Sequence, residues 1–163
     1  IEGDQWVIEQ RRWQFIPSYQ GGKTLDQATR GRDGKTLSTF NAKTETVATS
    51  GMFRHAFANR RCVVPASAWF EWTGEKGSKV KHRFARADGQ PIWFAGIYEH
   101  ADLVEGPVDS FTILTGPGSG WLLDYHTRAP VILDVDDFAR WLGPVDGAAQ
   151  LLGEVRPERF AVS

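Results

Sequence analysis

A carboxyl group stands among aromatic residues at Glu71, in the run Trp69-Phe70-Glu71-Trp72. Side chains alternate between the two faces of a strand, so Glu71 is expected to share a face with Trp69. Apolar surroundings disfavour the charged form and raise the pKa of a carboxyl group, which is how general acids and bases are tuned. The same pattern also fits a strand glutamate that points to water beside a turn at Gly74.

A histidine and an arginine lie close together further along the chain, at His126 and Arg128. An imidazole exchanges a proton near neutral pH, and a guanidinium two residues away could hold a phosphate group. The sequence around His126 is polar and lies between apolar segments, which equally fits a histidine that contacts the last carbonyls of a short helix.

Asn41 and Lys43 belong to a third polar segment, in which the Asn41 amide could orient a backbone or a nucleophile, or could serve only as a turn residue. Cys62 is the single cysteine, and its apolar neighbours favour inert packing over a nucleophilic role. One cysteine excludes an internal disulfide and a thiolate-rich zinc site. No two histidines have the close spacing of a metal motif, so we expect neither a metal nor a cofactor.

The net charge of −1 conceals an uneven distribution of charge. Residues 1–90 carry 15 Lys and Arg against 9 Asp and Glu, whereas residues 91–163 carry 4 against 11. A basic region together with seven tryptophans fits binding of single-stranded nucleic acid, in which bases stack on aromatic rings. Two ordinary solvated surfaces would give the same counts.

The elements that must hold these residues in place are predicted to be mostly strands. Strands are expected over Arg61–Pro65, Ala68–Trp72 and Phe111–Thr115, and Lys81–Arg86 and Pro91–Glu99 flank a hairpin turn signal at Asp88-Gly89. Short helices are expected from Ser50 to Asn59 and up to Leu142, and residues 21–38 read as a polar loop. These elements predict an α+β fold, a single compact domain with a mostly antiparallel, barrel-like β-sheet core and short peripheral helices.

The composition limits the class of protein. With 163 residues, of which 41% are hydrophobic and 12% aromatic, the chain suits one folded domain and excludes a disordered protein. Its apolar runs are much shorter than the roughly 20 residues of a membrane-spanning helix. We therefore expect a monomer without a membrane partner, and the single cysteine fits the cytoplasm.

Four ordered blocks of the sequence resemble the SRAP family of abasic-site processing proteins. They are Asn41–Thr46, Arg61–Trp72, Phe111–Thr115 and His126–Leu133, and an earlier segment, Trp13–Tyr19, is also similar. The resemblance extends from about Trp13 to Leu142.

This resemblance implies a function. Members of the family bind single-stranded DNA and attach covalently to abasic sites through a cysteine at the mature N-terminus, in a Met-Cys-Gly-Arg opening. The amine and the thiol of that cysteine react with the sugar aldehyde and close a thiazolidine ring. The resemblance also implies lyase or peptidase-like autoprocessing chemistry and, in bacteria, a location at the nucleoid.

By motif, Asn41 would orient the N-terminal residue, Glu71 would manage its proton, and His126 would assist opening of the sugar or contact the lesion phosphate. The implied DNA contacts are Lys43, which stands where the family usually has Arg, together with Trp69 and Arg128. The Met-Cys-Gly-Arg opening is not in the sequence, so we expect a single SRAP-like domain over residues 1–163 without its native first and last segments. The alternatives are a single-strand DNA-binding module without catalysis, and an unrelated hydrolase that uses a Glu/His pair.

Overall fold

The longest elements are two strands that form one hairpin. The computed structural model describes residues 7–153 and 159–163. Strands β6 (Ile92–Leu103) and β7 (Gly106–Pro117) pair antiparallel, with Leu103 opposite Gly106. Gly106 has a φ of 122°, which only glycine adopts without strain, and this permits the tight turn. Both strands were predicted, and both extend several residues beyond the predicted bounds.

All six strands of the larger sheet form this hairpin or pair with it. Strand β3 (Arg61–Ala66) pairs antiparallel with β6, while β1 (Arg12–Trp13) and β2 (Asn41–Lys43) pair parallel with β7. Strand β8 (Arg128–Pro130) pairs antiparallel with β7. The sheet is therefore mostly antiparallel, and it curls into a half-barrel within one compact domain, as the sequence predicted.

Strands β6 and β7 pair from their turn as far as Gly96 and Ile113, and past that pair they separate. The segment that follows β8 fills the opening between them. The Val131 amide donates to the carbonyl of Leu114 at 2.8 Å, and the Ala95 amide donates to the carbonyl of Val131 at 2.9 Å. Because the inserted segment satisfies both strands, the sheet bends there without losing backbone hydrogen bonds.

A second sheet has the strand order β4-β5-β9, from β4 (Trp69–Thr73), β5 (Val80–Arg86) and β9 (Phe160–Val162). The hairpin predicted at Asp88-Gly89 is wrong, because β5 pairs with β4 and β9 while β6 pairs with β3 and β7. The turn does reverse the chain, with Gly89 at a φ of 73°. Strand β6 is buried on both faces and enters the larger sheet, whereas β5 buries mainly Phe84.

Short helices cover the outside of the sheets: α1 (Leu25–Ala28), α2 (Arg54–Asn59), α3 (Phe138–Leu142) and α4 (Val145–Ala149). Among the described residues, 3-10 helices also span Ser18–Gln20, Gly120–Asp124 and Val135–Asp137. The loop predicted over residues 21–38 contains α1, which begins with a capping box between Thr24 and Gln27. In the described residues, no helix has the length and apolar character needed to cross a bilayer.

The largest hydrophobic cluster lies between the larger sheet and the helices. Trp141 of α3 is fully buried there, against Phe57 of α2 at a ring-centroid distance of 6.2 Å. The Trp141 indole N–H donates to the carbonyl of Cys62 at 2.9 Å, which fixes the helix against β3. A second cluster, built around Trp69, joins the two sheets. Strand β4, which carries Glu71, is therefore held against the rest of the fold.

Candidate active site

Glu71 lies on the inner face of β4, the face that it shares with Trp69 and Thr73. Its side chain is partly buried, while Phe70 and Trp72 on the outer face are exposed. Burial raises the pKa of the Glu71 carboxyl group, and the charge of nearby His126 opposes part of that rise. The predicted alternation along the strand is confirmed, and the surroundings of Glu71 favour a carboxyl group that exchanges protons.

His126 follows the 3-10 helix Gly120–Asp124, and its amide donates to the carbonyl of Leu122 at 3.0 Å. Its Nδ1 lies 3.1 Å from both the amide nitrogen and the carbonyl oxygen of Arg128, so the Arg128 backbone engages Nδ1 in either neutral tautomer. A Cβ added at Gly118 would lie 2.9 Å from the carbonyl oxygen of His126. The glycine therefore permits the close approach that holds the His126 backbone in place.

A second histidine belongs to this site, and it was not among the predicted residues. His82 lies directly opposite Glu71 in the β4–β5 register, and its Nε2 shares a 2.7 Å hydrogen bond with Thr73 Oγ1. Its ring packs edge-on against Tyr125, the residue before His126, with centroids 4.8 Å apart. His82 thus connects the strand that carries Glu71 to the turn that carries His126. The sequence does not show this connection, because the turn that carries Tyr125 is distant in the chain from the β4–β5 hairpin.

Arg128 is held by an acidic partner rather than left free. Its Nη1 and Nη2 donate to the two oxygens of Glu45 at 2.7 and 2.9 Å, and its Nε donates to Thr115 Oγ1 at 3.3 Å. Nη2 also donates to the carbonyl of Thr115. These bonds use four of the five N–H groups of the guanidinium. The Arg128 guanidinium lowers the pKa of Glu45 to about 2, so the pair remains ionised at neutral pH.

Asn41 and Lys43 project from the exposed side of β2, on either side of the buried Ala42. Neither side chain hydrogen-bonds to another residue within the described part of the chain, so both are available to a ligand. An exposed aromatic pair lies beside them, in which the Trp13 indole N–H donates to the carbonyl of Phe40 at 2.9 Å. This pair, too, was not among the predicted site residues.

Strand β7 brings these segments to one place. Thr115 pairs with Lys43 on β2 and also with Pro130 on β8. Two strands separated by one other strand lie about 10 Å apart. Glu71, His126, Arg128 and Glu45 therefore form a continuous series of contacts and charge interactions, and Asn41 and Lys43 lie one strand away from it.

Trp69 is placed in the interior rather than on the surface. Its ring stacks on Phe84 at 4.7 Å and packs edge-on against Phe160 at 5.0 Å and Phe94 at 6.3 Å. A DNA contact by Trp69 stays a prediction, and the exposed rings of β4 are those of Phe70 and Trp72, on the face opposite Glu71. Burial raises the pKa of the Cys62 thiol to about 12, so this cysteine is protonated and unreactive at neutral pH.

Known proteins resemble this chain in both sequence and fold. Abasic site processing protein YedK of Escherichia coli strain K12 is 38% identical over 106 residues, which are 63% of this chain and 46% of YedK. Abasic site processing protein YoaM of Bacillus subtilis strain 168 is 33% identical over 145 residues, which are 88% of this chain and 60% of YoaM. The chain thus spans about half the length of these curated relatives.

A solved structure of a protein from Bordetella bronchiseptica superimposes with a TM-score of 0.80 at 30% identity, covering 94% of this chain and 74% of that one. A protein from Bacteroides thetaiotaomicron gives a TM-score of 0.76 at 27% identity, covering 92% of this chain and 66% of that one. The model of the SOS response associated peptidase family (SRAP) matches residues 2–162. The chain therefore belongs to the SRAP family.

Proposed function

We propose that the protein to which this chain belongs processes abasic sites in single-stranded DNA by forming a covalent cross-link to the lesion. The observation that carries the proposal is the coupling of the partly buried Glu71 to His126 in a chain that matches the SRAP family over residues 2–162. The relatives named above as abasic site processing proteins support the substrate. The nucleophile would be an N-terminal cysteine, which the full-length protein must supply because the Cys62 thiol is unreactive.

The proposed chemistry needs an amine, a thiol and an aldehyde. The ring-opened sugar of an abasic site carries the aldehyde, and the cysteine amine adds to it to give a carbinolamine. Loss of one water leaves an imine. The thiol then adds across the C=N bond, forming the S–C bond and leaving its proton on nitrogen. One water is released in total and nothing is oxidised or reduced, so the residues need only bind, orient and transfer protons.

Glu71 has the properties that the proton transfers require. Its raised pKa makes the carboxylate a stronger base than an exposed glutamate, and also makes the protonated form a usable acid. We assign Glu71 to take a proton from the attacking cysteine and return it to the departing hydroxyl. His126, with its Nδ1 engaged by the Arg128 backbone, would use Nε2 to assist opening of the sugar or to contact the lesion phosphate.

The remaining roles concern binding. The free Asn41 amide would orient the N-terminal residue, and the free Lys43 ammonium would hold a phosphate as a point charge. Arg128, with one N–H left over, would make a single phosphate contact and mainly hold the His126 turn. Trp69, whose ring is packed in the interior, would act through the packing of β4 rather than by direct contact with DNA. We propose that the protein acts as a monomer inside the cell, on DNA.

A second candidate function is a single-strand DNA-binding module without cross-linking activity. The unreactive Cys62 favours it for any form of the protein that has no N-terminal cysteine. The binding surface and the cross-linking chemistry can therefore be separated by experiment.

The test uses the full-length protein and a single-stranded oligonucleotide with one abasic site. The proposal expects a covalent band that survives denaturation, and replacement of an N-terminal cysteine by Ser should abolish it. Glu71→Gln and His126→Gln should each slow its formation at least tenfold, since a positioned proton-transfer group contributes about 10²- to 10⁴-fold. The matched control is Glu75→Gln, because Glu75 is exposed and lies four residues from Glu71. Equal rates for Glu71→Gln and Glu75→Gln would contradict the assigned role.

A further inference from the structure

The outer surface of the β4–β5 hairpin combines exposed aromatic rings with cations. In the antiparallel register, Phe70 lies opposite Arg83, and Trp72 lies opposite Lys81. All four side chains are on the face of the sheet away from Glu71, and all four residues are exposed. We refer to these four residues as the outer hairpin face.

The rings of this face are in contact with its cations. The Lys81 ammonium lies 3.9 Å from the ring centroid of Phe70 and 5.7 Å from that of Trp72. The two rings are 39% and 49% exposed, so part of each is accessible to a ligand. A flat group that stacked on Phe70 would replace the ammonium there and leave it free to bind an anion carried by the same ligand.

The two cations have no acidic partner among the described residues. Within residues 7–153 and 159–163, no carboxylate forms an ion pair with Lys81 or Arg83. Arg86, on the same strand, is by contrast paired with Asp88 at 2.5 Å. The uncompensated positive charge of the outer hairpin face therefore favours a polyanionic ligand.

The face continues into a groove and borders the candidate active site. Arg83 also lines an open groove of about 510 Å³, together with Ser67 and Gln90. Strand β4 is the edge strand of its sheet, so a flexible ligand can pass around it from the Glu71 face to the outer hairpin face. Residues two positions apart on a strand are about 6.8 Å apart, roughly twice the 3.4 Å rise per nucleotide along the axis of a stacked DNA strand.

We propose that the outer hairpin face is a second binding surface for single-stranded DNA, which holds nucleotides flanking the lesion. Bases stack on Phe70 and Trp72, phosphates bind Lys81 and Arg83, and the strand continues into the groove beside Arg83. The spacing of the two rows requires unstacked bases, which selects single-stranded over duplex DNA. This inference rests on the proposed function, because it extends the DNA path from that site.

The test measures equilibrium binding of single-stranded oligonucleotides that carry a tetrahydrofuran abasic analogue, which has no aldehyde and cannot cross-link. We expect Lys81→Gln/Arg83→Gln to weaken binding of a 20-mer on the order of tenfold near 0.1 M salt. It should also lower the slope of log affinity against log salt by about 1.4, since each phosphate contact on a single strand contributes about 0.7. Phe70→Leu, which keeps an apolar side chain, should weaken binding about fivefold or more through lost stacking.

Controls separate this surface from general electrostatics. Arg32→Gln/Lys35→Gln removes two exposed cations of the segment between β1 and β2, and it should leave the slope unchanged. A 4-mer centred on the lesion, too short to reach the outer hairpin face, should bind the Lys81/Arg83 variant as well as the wild type. Equal losses for the two double variants would overturn the proposal, as would binding of an acidic peptide or of duplex DNA as tight as that of the 20-mer.

The proposal and the proposed function can fail separately. If the full-length protein cross-links the 20-mer and Lys81→Gln/Arg83→Gln leaves affinity and salt slope unchanged, the surface is refuted and the function stands. If the variant loses affinity as expected but the full-length protein forms no cross-link, the surface stands and the function is refuted.

Discussion

The ion pair between Glu45 and Arg128 permits a quantitative prediction for Glu45→Gln. The pair is bidentate, with N–O distances of 2.7 and 2.9 Å, and it holds the pKa of Glu45 at about 2 instead of its ordinary 4.5. A shift of this size corresponds to roughly 3 kcal/mol, at about 1.4 kcal/mol per pKa unit. The Glu45 side chain is 46% exposed, so solvent screening reduces the contribution to about 1 kcal/mol.

The sign of the pH dependence follows from the lowered pKa. A carboxylate with a lowered pKa in the folded state contributes stability above its unfolded-state pKa, near 4.5, and loses it as the pH falls towards 2. Glu45→Gln should therefore lower the free energy of unfolding by about 1 kcal/mol at pH 7, and by less than half of that at pH 3. The difference should also shrink at high salt, because the pair is partly exposed.

Urea denaturation of the wild type and the variant at both pH values measures this effect. The matched control is Asp33→Asn, because the Asp33 ion pair with the exposed Lys35 spans 3.7 Å and should contribute less than about 0.5 kcal/mol, while asparagine can still accept the Lys35 amide hydrogen. A Glu45→Gln difference as large at pH 3 as at pH 7 would refute the electrostatic explanation, because it would have to come from packing. The Glu45 pair holds Arg128 and, through it, the turn at His126, so we also expect slower cross-linking by the variant.

Three further predictions concern the surroundings of the site. Glu71→Gln should slow cross-linking but raise the melting temperature at pH 7, because the raised pKa of Glu71 means that its charged carboxylate destabilises the fold. This gain in melting temperature should vanish as the pH falls below about 4.5. A loss of stability at pH 7 would contradict the prediction. His82→Phe should keep the ring contact with Tyr125 but lose the 2.7 Å hydrogen bond to Thr73, which should lower the free energy of unfolding by about 1 kcal/mol and slow cross-linking. Thr73→Val removes the same hydrogen bond from the other side, and wild-type cross-linking rates in both variants would exclude a positioning role for His82. Gly118→Ala should lower the free energy of unfolding by about 1–3 kcal/mol in urea and displace His126, since the new Cβ would lie 2.9 Å from the His126 carbonyl oxygen. An unchanged His126 resonance in the NMR spectrum would contradict that displacement.

The sequence predicted those features that depend on local patterns. Alternating and β-branched residues placed β3 and β4 nearly correctly and located the inner parts of β6 and β7, and the alternation along β4 put Glu71 on the right face. Such segments can be recognised as strands because burial of one face selects apolar residues at every second position, which is the period of a strand. The helix α2 was found within the predicted range for a similar reason.

The features that failed depend on partners distant in the chain. The turn at Asp88-Gly89 was recognised, but a turn signal cannot say that the strands on its two sides belong to different sheets. The ion pair between Glu45 and Arg128 joins residues that are 83 positions apart, so no local sequence pattern predicts it. Trp69 illustrates the same limit, because its sequence neighbours do not show that Phe84, Phe94 and Phe160 surround its ring. The helix α1, by contrast, had a local signal in Thr24 and Gln27.

Intact mass spectrometry of the full-length protein after reaction with an abasic single-stranded oligonucleotide tests the central proposal most directly. The account predicts one adduct with the summed mass of protein and oligonucleotide less one water, mapped to the N-terminal peptide, and strongly reduced in Glu71→Gln. An adduct on any internal residue, or its undiminished formation in Glu71→Gln, would contradict the account.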